Sequence, residues 1–152
     1  MKVLMVCLGN ICRSPLAEGL FRQKAEDNNM EIDVDSCGTS GYHNGEAPDP
    51  RTTDNARKNG LDLSMLRSRK FHASDFDTFD LIYVMDSSNY ANVKALSRSD
   101  SDMEKVDFLL NATFPGENRA VPDPYFGGEN GFQEVYDLVN DACEQLIQKL
   151  SS

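Results

Sequence analysis

Short apolar runs alternating with helix-length stretches predict an α/β fold: a four-stranded parallel sheet with helices on both faces, flavodoxin-like, in the strand order 2-1-3-4. Three observations carry this expectation. The run Val3-Leu4-Met5-Val6 is continuously apolar, as a strand covered on both faces must be, and later runs such as Leu81-Ile82-Tyr83-Val84 repeat the pattern. A helical pattern follows each of the first three strands. The chain has 152 residues, 39% hydrophobic and 26% charged, enough to bury one core without staples, so residues 1–152 are expected to form a single domain.

Taken in order, residues 2–6 read as the first strand and 15–28 as a helix with Leu16, Leu20 and Phe21 facing inward. Residues 31–35 place Ile32 and Val34 on one face of a second strand. A glycine-rich loop over 38–50 leads into a helix over 50–58 that Asn59-Gly60 stops. The third strand lies within 80–85; Ser87 then caps a helix running to Leu96, and 106–110 reads as the fourth strand. A loop over 111–130 carries Pro115, Pro122 and Pro124. Residues 131–150 close the chain as an amphipathic helix with Phe132, Val135, Tyr136, Val139, Cys143, Leu146 and Leu150 near one stripe. No repeat, low-complexity segment or linker interrupts this order.

The chemistry concentrates at Cys7-Leu8-Gly9-Asn10-Ile11-Cys12-Arg13-Ser14-Pro15, where the first strand ends and the first helix begins. In parallel sheets ligands collect beyond the carboxyl ends of the strands where the strand order reverses, and this loop falls there. A thiol attacks phosphorus only as its thiolate, which a helix N-terminus and a nearby arginine favour, bringing a cysteine pKa down to roughly 3.5–7.5. Five residues between Cys7 and Arg13 let the backbone curl round a tetrahedral anion with its N–H groups inward. Gly9 and Asn10 best tolerate a left-handed turn. Arg13 offers a planar fork for two oxygens, which lysine lacks. Ser14 reads as the helix N-cap, Pro15 suits the first turn, and the Ser14 hydroxyl is within sequence reach of the sulfur. A lone cysteine at a strand end is usually a small buried hydrophobe; strand, Gly/Asn loop, Arg, Ser-Pro and helix together are far more specific.

A net charge of −10 argues against nucleic acid as a partner, because phosphate backbones attract basic surfaces. An anionic substrate must then be held locally, by Arg13, inward amides and the helix dipole. No stretch approaches membrane-spanning length, and Asn10 and Arg13 interrupt the only leader-like run, so no membrane insertion is expected. Four cysteines in this pattern do not make a secreted disulfide framework, and the cytoplasm is the expected compartment. Cys37 and Cys143 read as packing residues. His43 and His72 are too isolated for a metal pair or a catalytic base. Asp75, Asp77 and Asp80 resemble the start of a calcium loop but lack its glycine and terminal glutamate. Asn111-Ala112-Thr113 is a glycosylation sequon only in a secretory context. No metal or cofactor is expected. Tyr42, Tyr125 and Phe126, with Leu8 beside the nucleophile, would form an apolar slot that takes a phenyl ring and excludes the shorter phosphoserine; each of these aromatics is alternatively a packing residue.

Residues Cys7 to Pro15 resemble the signature of the low-molecular-weight protein tyrosine phosphatases, and Asp123-Pro124-Tyr125 resembles that family's general-acid loop. Gly38-Thr39-Ser40, Pro48-Asp49-Pro50-Arg51, Met85-Asp86 and the chain length extend the resemblance over nearly the whole chain. It implies a phosphocysteine on Cys7, Asp123 as general acid and then base, and Arg13 with Leu8, Gly9, Asn10, Ile11, Cys12 and Ser14 holding the phosphate. It places Tyr42, Tyr125 and Phe126 at the entrance, and phosphotyrosine-containing proteins as substrates, with inorganic phosphate or other oxyanions as inhibitors of a monomer or weak dimer. Cys12 either packs behind the loop or, as the resemblance favours, forms a reversible disulfide with Cys7. Asp86 is expected to hold backbone groups near the loop. Two positions depart from the pattern: Phe126 stands where many members have tyrosine, and Leu66 where a histidine often supports the loop asparagine. Arsenate reduction on this scaffold would need two more cysteines near the third strand, and residues 76–95 contain none. Arginine phosphatases of the same fold also resemble the chain but place threonine where Ile11 stands. A noncatalytic phosphoprotein-binding module is opposed by Cys7, Arg13 and Asp123 together.

Overall fold

The computed structural model describes residues 1–124 and 129–151. The chain runs β1 (Lys2–Cys7), α1 (Arg13–Asp27), β2 (Asp33–Gly38), α2 (Pro50–Lys58), α3 (Asp75–Thr78), β3 (Leu81–Val84), α4 (Ser87–Ala95), α5 (Asp100–Met103), β4 (Val106–Phe108) and α6 (Glu129–Ser151), with a 3-10 turn over Leu109–Ala112. The strands form one parallel sheet in the expected order β2-β1-β3-β4. The central position of β1 explains its apolar run: Val3 to Val6 are fully buried, and successive side chains serve opposite faces. Val3 and Met5 pack with Leu16, Leu20 and Phe21 of α1 and with Val135, Val139 and Leu146 of α6. Leu4 and Val6 pack on the other face with Phe71, Phe76, Ile82, Val84 and Val93. Full burial of such side chains contributes about 1.5–3 kcal/mol each, which anchors β1 and fixes where its C-terminal end delivers Cys7.

Several boundaries differ from expectation for physical reasons. Helix α1 begins at Arg13, so Ser14 lies inside the first turn and is not the cap; Cys12 occupies the cap position without a side-chain bond, leaving first-turn amides for a ligand. Strand β2 runs Asp33–Gly38, not 31–35, because it pairs with β1 residue for residue from Lys2↔Asp33 to Cys7↔Gly38. Asp86, not Ser87, caps α4, its carboxylate accepting from Asn89 N–H at 2.8 Å. Strand β4 stops at Phe108, and Leu109 and Leu110 reach the core from a 3-10 turn instead. Short helices α3 and α5 were not expected; both are single acidic turns tied to arginines. The expected stop after α2 is present, with Gly60 at φ 83° and its N–H on Arg57 O.

Candidate active site

The loop leaving β1 is fastened by its carbonyls. Thr39 N–H donates to Cys7 O (2.9 Å), Ser40 N–H to Leu8 O (3.0 Å), the Ser68 hydroxyl to Gly9 O (3.1 Å) and Asp49 N–H to Ile11 O (2.8 Å). In a trans peptide the N–H opposes the C=O, so each tether turns the next residue's amide, those of Leu8, Gly9, Asn10 and Cys12, toward the cavity side. The Asn10 amide ends 3.3 Å from Cys7 Sγ. Of the two residues that best tolerate a left-handed turn, Asn10 takes it, with φ 57°, and Gly9 does not.

Such tethering needs β2 to approach closely, and Gly38 permits it. A Cβ on Gly38 would lie 2.6 Å from Leu8 O and 3.1 Å from Asn10 N, both backbone atoms that cannot swing aside. Gly38→Ala is therefore expected to cost about 1–3 kcal/mol in a thermal or denaturant melt and to lower turnover at the same time, since relief must move the loop itself. A melt shift without an activity change would contradict this.

Arg13 is 3% exposed. Its Nη1 donates to Asp86 Oδ2 (2.7 Å) and to Val121 O (3.0 Å), and Nη2 lies 3.6 Å from Asp123 Oδ2. Burial works against its charge, but Cys7 and the hydrogen-bonded Asp86 carboxylate outweigh that and hold the guanidinium above its ordinary pKa. Asp86 thus both caps α4 and orients Arg13, a pairing the sequence did not reveal. Val121 N–H in turn donates to Met85 O at 2.7 Å, so the segment carrying Asp123 is pinned beside the loop.

Cys7, 3% exposed, has its sulfur 3.0 Å from Ser14 Oγ. The bracing of Asn10 does not need a histidine: Nδ2 donates to Ser14 Oγ (2.7 Å) and Ser36 Oγ (2.9 Å), and Oδ1 accepts from Arg69 N–H (3.1 Å). Leu66, at the departing position, packs against the core. Cys12 is buried, and burial above all pushes its thiol up to about 12. Cys37 and Cys143 are fully buried, and all four cysteines are unpaired.

A cavity of about 250 Å³ opens over the loop, lined by Cys7, Leu8, Gly9, Ile11, Cys12, Arg13, Tyr42, His43 and Asp123. Tyr42 is 86% exposed and meets His43 edge-on at 5.1 Å. His43, passed over in the sequence, is a wall residue whose Nδ1 lies 2.7 Å from Glu46 Oε2. Tyr125 and Phe126, expected opposite Tyr42, lie outside the described residues. The acidic trio disperses, with Asp75 on Arg69 (3.1 Å), Asp77 on Arg98 (2.7 Å) and Asp80 on Lys2 N–H (2.8 Å).

Two cysteines, one guanidinium and one carboxylate therefore share a cavity with the backbone of the β1–α1 loop, and its size suits a phosphate ester. The model of the low molecular weight phosphotyrosine protein phosphatases matches residues 2–152. A putative low molecular weight protein-tyrosine-phosphatase of Synechocystis is 43% identical over 152 residues, spanning 99% of this chain and 96% of its own. The low molecular weight phosphotyrosine protein phosphatase of Schizosaccharomyces pombe is 41% identical over 153 residues, covering 99% and 97%. Among solved structures, a protein tyrosine phosphatase from Entamoeba histolytica superposes with a TM-score of 0.92 at 38% identity, over 99% and 97% of the two chains. A Drosophila arginine phosphatase reaches 0.92 at 33% identity, over 100% and 99%. With the Cys7-to-Arg13 loop at the end of β1, the sheet order and sequence agreement over residues 2–152 pointing the same way, this chain belongs to the low-molecular-weight phosphotyrosine protein phosphatase family.

Proposed function

We propose that residues 1–152 form one domain that hydrolyses phosphotyrosine in proteins, and small aryl phosphates, through a phosphocysteine on Cys7. The convergence of Cys7, Arg13 and Asp123 on one cavity is the observation that supports this most. The Cys7 thiolate attacks phosphorus in line, forming the S–P bond as the P–O bond to the phenol breaks, while Asp123 gives its proton to the leaving oxygen. Asp123, now a carboxylate, takes a proton from water, whose oxygen attacks phosphorus and releases Cys7 and inorganic phosphate. The inward amides and Arg13 stabilise the equatorial oxygens in both steps. They also supply the local positive field that an acidic chain otherwise lacks, and they suit inorganic phosphate and other oxyanions as competitors.

Leu8, Ile11 and Tyr42 give the cavity apolar walls suited to a phenyl ring. The likeness to an arginine phosphatase supports a second reading, phosphoarginine, which the apolar Ile11 disfavours because it offers no hydrogen bond to a guanidinium. Turnover of a phosphotyrosine peptide and of free phosphoarginine, side by side, tests the choice. Faster hydrolysis of phosphoarginine would overturn the tyrosine reading, and absence of a vanadate-sensitive burst with an aryl phosphate would overturn the phosphocysteine route.

The unpaired cysteines support a reducing compartment, the cytoplasm. We infer a redox switch as well. Peroxide oxidises the Cys7 thiolate to a sulfenic acid, and the Cys12 sulfur then displaces water from it to form the Cys7–Cys12 disulfide. With its thiol pushed up to about 12, Cys12 stays protonated at neutral pH, so oxidation starts on Cys7. Cys12→Ser is expected to convert peroxide inactivation from thiol-reversible to largely irreversible, read as activity recovered with dithiothreitol. Equal recovery in both proteins would exclude the switch.

A further inference from the structure

The end of β2 gains a short neighbour beside the site. Gly38 N–H donates to Arg69 O (2.8 Å) and Phe71 N–H to Gly38 O (2.7 Å), which bridges Lys70 to the glycine packed on the β1–α1 loop. Past Gly38 the chain turns over the cavity: Thr39 and Ser40 are tied to Cys7 and Leu8, and Tyr42 and His43 form a wall. Lys70 lies against this turn. A Cβ added at Gly41 would stand 3.4 Å from Lys70 Cδ and 3.3 Å from Asn44 Nδ2, so an aliphatic stem and an amide rest together on bare glycine backbone, next to Tyr42. Gly41, Asn44 and Lys70 are all exposed. With its stem packed and its head in water, Lys70 is fixed in place at the mouth of the cavity.

Charge makes this arrangement informative. The chain has 25 acidic side chains against 15 lysines and arginines, and the arginines around the site are taken: Arg13 by Asp86, Arg51 by Asp49, and Arg69 by Asp35 and Asp75. Glu46, on the same turn, is engaged by His43 Nδ1 at 2.7 Å. Among the described residues Lys70 Nζ has no carboxylate partner and Asn44 Nδ2 no acceptor. Given phosphotyrosine in the cavity, the reading on which this rests, we propose that Lys70, with the Asn44 amide beside it, binds a carboxylate flanking the phosphotyrosine, so that the substrates are phosphotyrosines set among acidic residues. A phenyl ring against Tyr42, with its phosphate over Cys7, brings the peptide backbone to the rim at Tyr42. An extended chain advances about 3.3 Å per residue, so a side chain one or two positions away reaches Lys70. A carboxylate there accepts from the ammonium and the amide together, and a neutral neighbour gains no such pair. The contact also answers a difficulty of charge: Asp123, Glu46 and a net charge of −10 repel an acidic peptide, and a cation at the mouth lowers that cost locally. Lys70 selects substrate and takes no part in the chemistry at phosphorus.

Two phosphotyrosine peptides test this, identical except for glutamate or glutamine at the two positions on either side of the phosphotyrosine. The quantity read is kcat/KM for the glutamate peptide divided by that for the glutamine peptide, at low and at high salt. At low salt the ratio should fall about two- to fivefold in Lys70→Gln and about twofold in Asn44→Ala, and stay near the parent in Lys70→Arg. Lys70→Glu should push it below Lys70→Gln, and high salt should erase these differences. 4-Nitrophenyl phosphate has no flanking residues, so its kcat/KM should hold within about twofold throughout. Lys2→Gln removes the same charge at the far end of β1 and should leave the ratio unchanged. An unchanged ratio in Lys70→Gln or Asn44→Ala would overturn the proposal. So would an equal fall in Lys2→Gln, because bulk charge and not this contact would then set the preference. Hydrolysis of 4-nitrophenyl phosphate with neither peptide turned over would instead remove the phosphotyrosine reading beneath it.

Discussion

Cys7→Ser is expected to lower kcat for an aryl phosphate by about 10⁴-fold or more while phosphate binding stays within roughly fivefold of the parent. The reason lies in what surrounds the sulfur. Ser14 and the Asn10 amide are placed to donate to an anion at that point, at 3.0 and 3.3 Å, and neither is a base. A serine hydroxyl there must lose its proton, and no group behind the loop can take it. Asp123 faces the cavity beside Arg13, where the leaving oxygen would sit, so it does not serve as that base in the first step. Binding survives because the anion is held by amides and Arg13, none of which the substitution touches. Stopped assays for turnover, with phosphate titration for affinity, check both halves. Residual turnover within about 100-fold of the parent would mean that the sulfur is not the nucleophile.

How much of this was legible in the sequence depends on the kind of signal. The β1 run, Cys7-x5-Arg13 and the α6 stripe were readable because burial on two faces, a phosphate-sized loop and an amphipathic helix each impose a local pattern. The site's place at the end of β1 followed from the parallel-sheet rule that ligands collect beyond the carboxyl ends of the strands. Contacts between distant segments imposed no such pattern. Asp86 meets Arg13 beyond the carboxyl ends of the adjacent central strands β3 and β1, and in sequence it looked like one aspartate after a strand. Ser36 and Glu18 lie apart, on β2 and α1, and read as ordinary polar residues until the fold brings them to 2.6 Å. Ser14 is not the cap because the helix begins one residue before it, at Arg13, and its oxygen accepts from Asn10 Nδ2 beside the Cys7 sulfur. The Leu66 departure looked like a loss of support for Asn10, yet Ser36 and Arg69 N–H fill the role from other segments.

Asp123→Asn is expected to separate the two chemical steps. Arg13 should keep its place without the carboxylate, because Asp86 at 2.7 Å and Val121 O at 3.0 Å hold it more closely than Asp123 at 3.6 Å does. Val121 remains tied to Met85 O, so the segment should also stay. The loss can then be assigned to the missing proton and not to a displaced guanidinium. In the first step that proton matters in proportion to the basicity of the departing oxygen, so kcat/KM should fall by about 10²- to 10³-fold for alkyl phosphates and by much less for activated aryl esters. The second step has no leaving group to compensate, since water must be deprotonated whatever the substrate was. Steady-state kcat on activated esters should therefore also fall, now limited by hydrolysis, and a burst with phosphocysteine recoverable by rapid acid quench should appear. A uniform drop in kcat/KM across leaving groups, with no burst, would mean that Asp123 orients Arg13 or shapes the cavity and that the proton comes from another group.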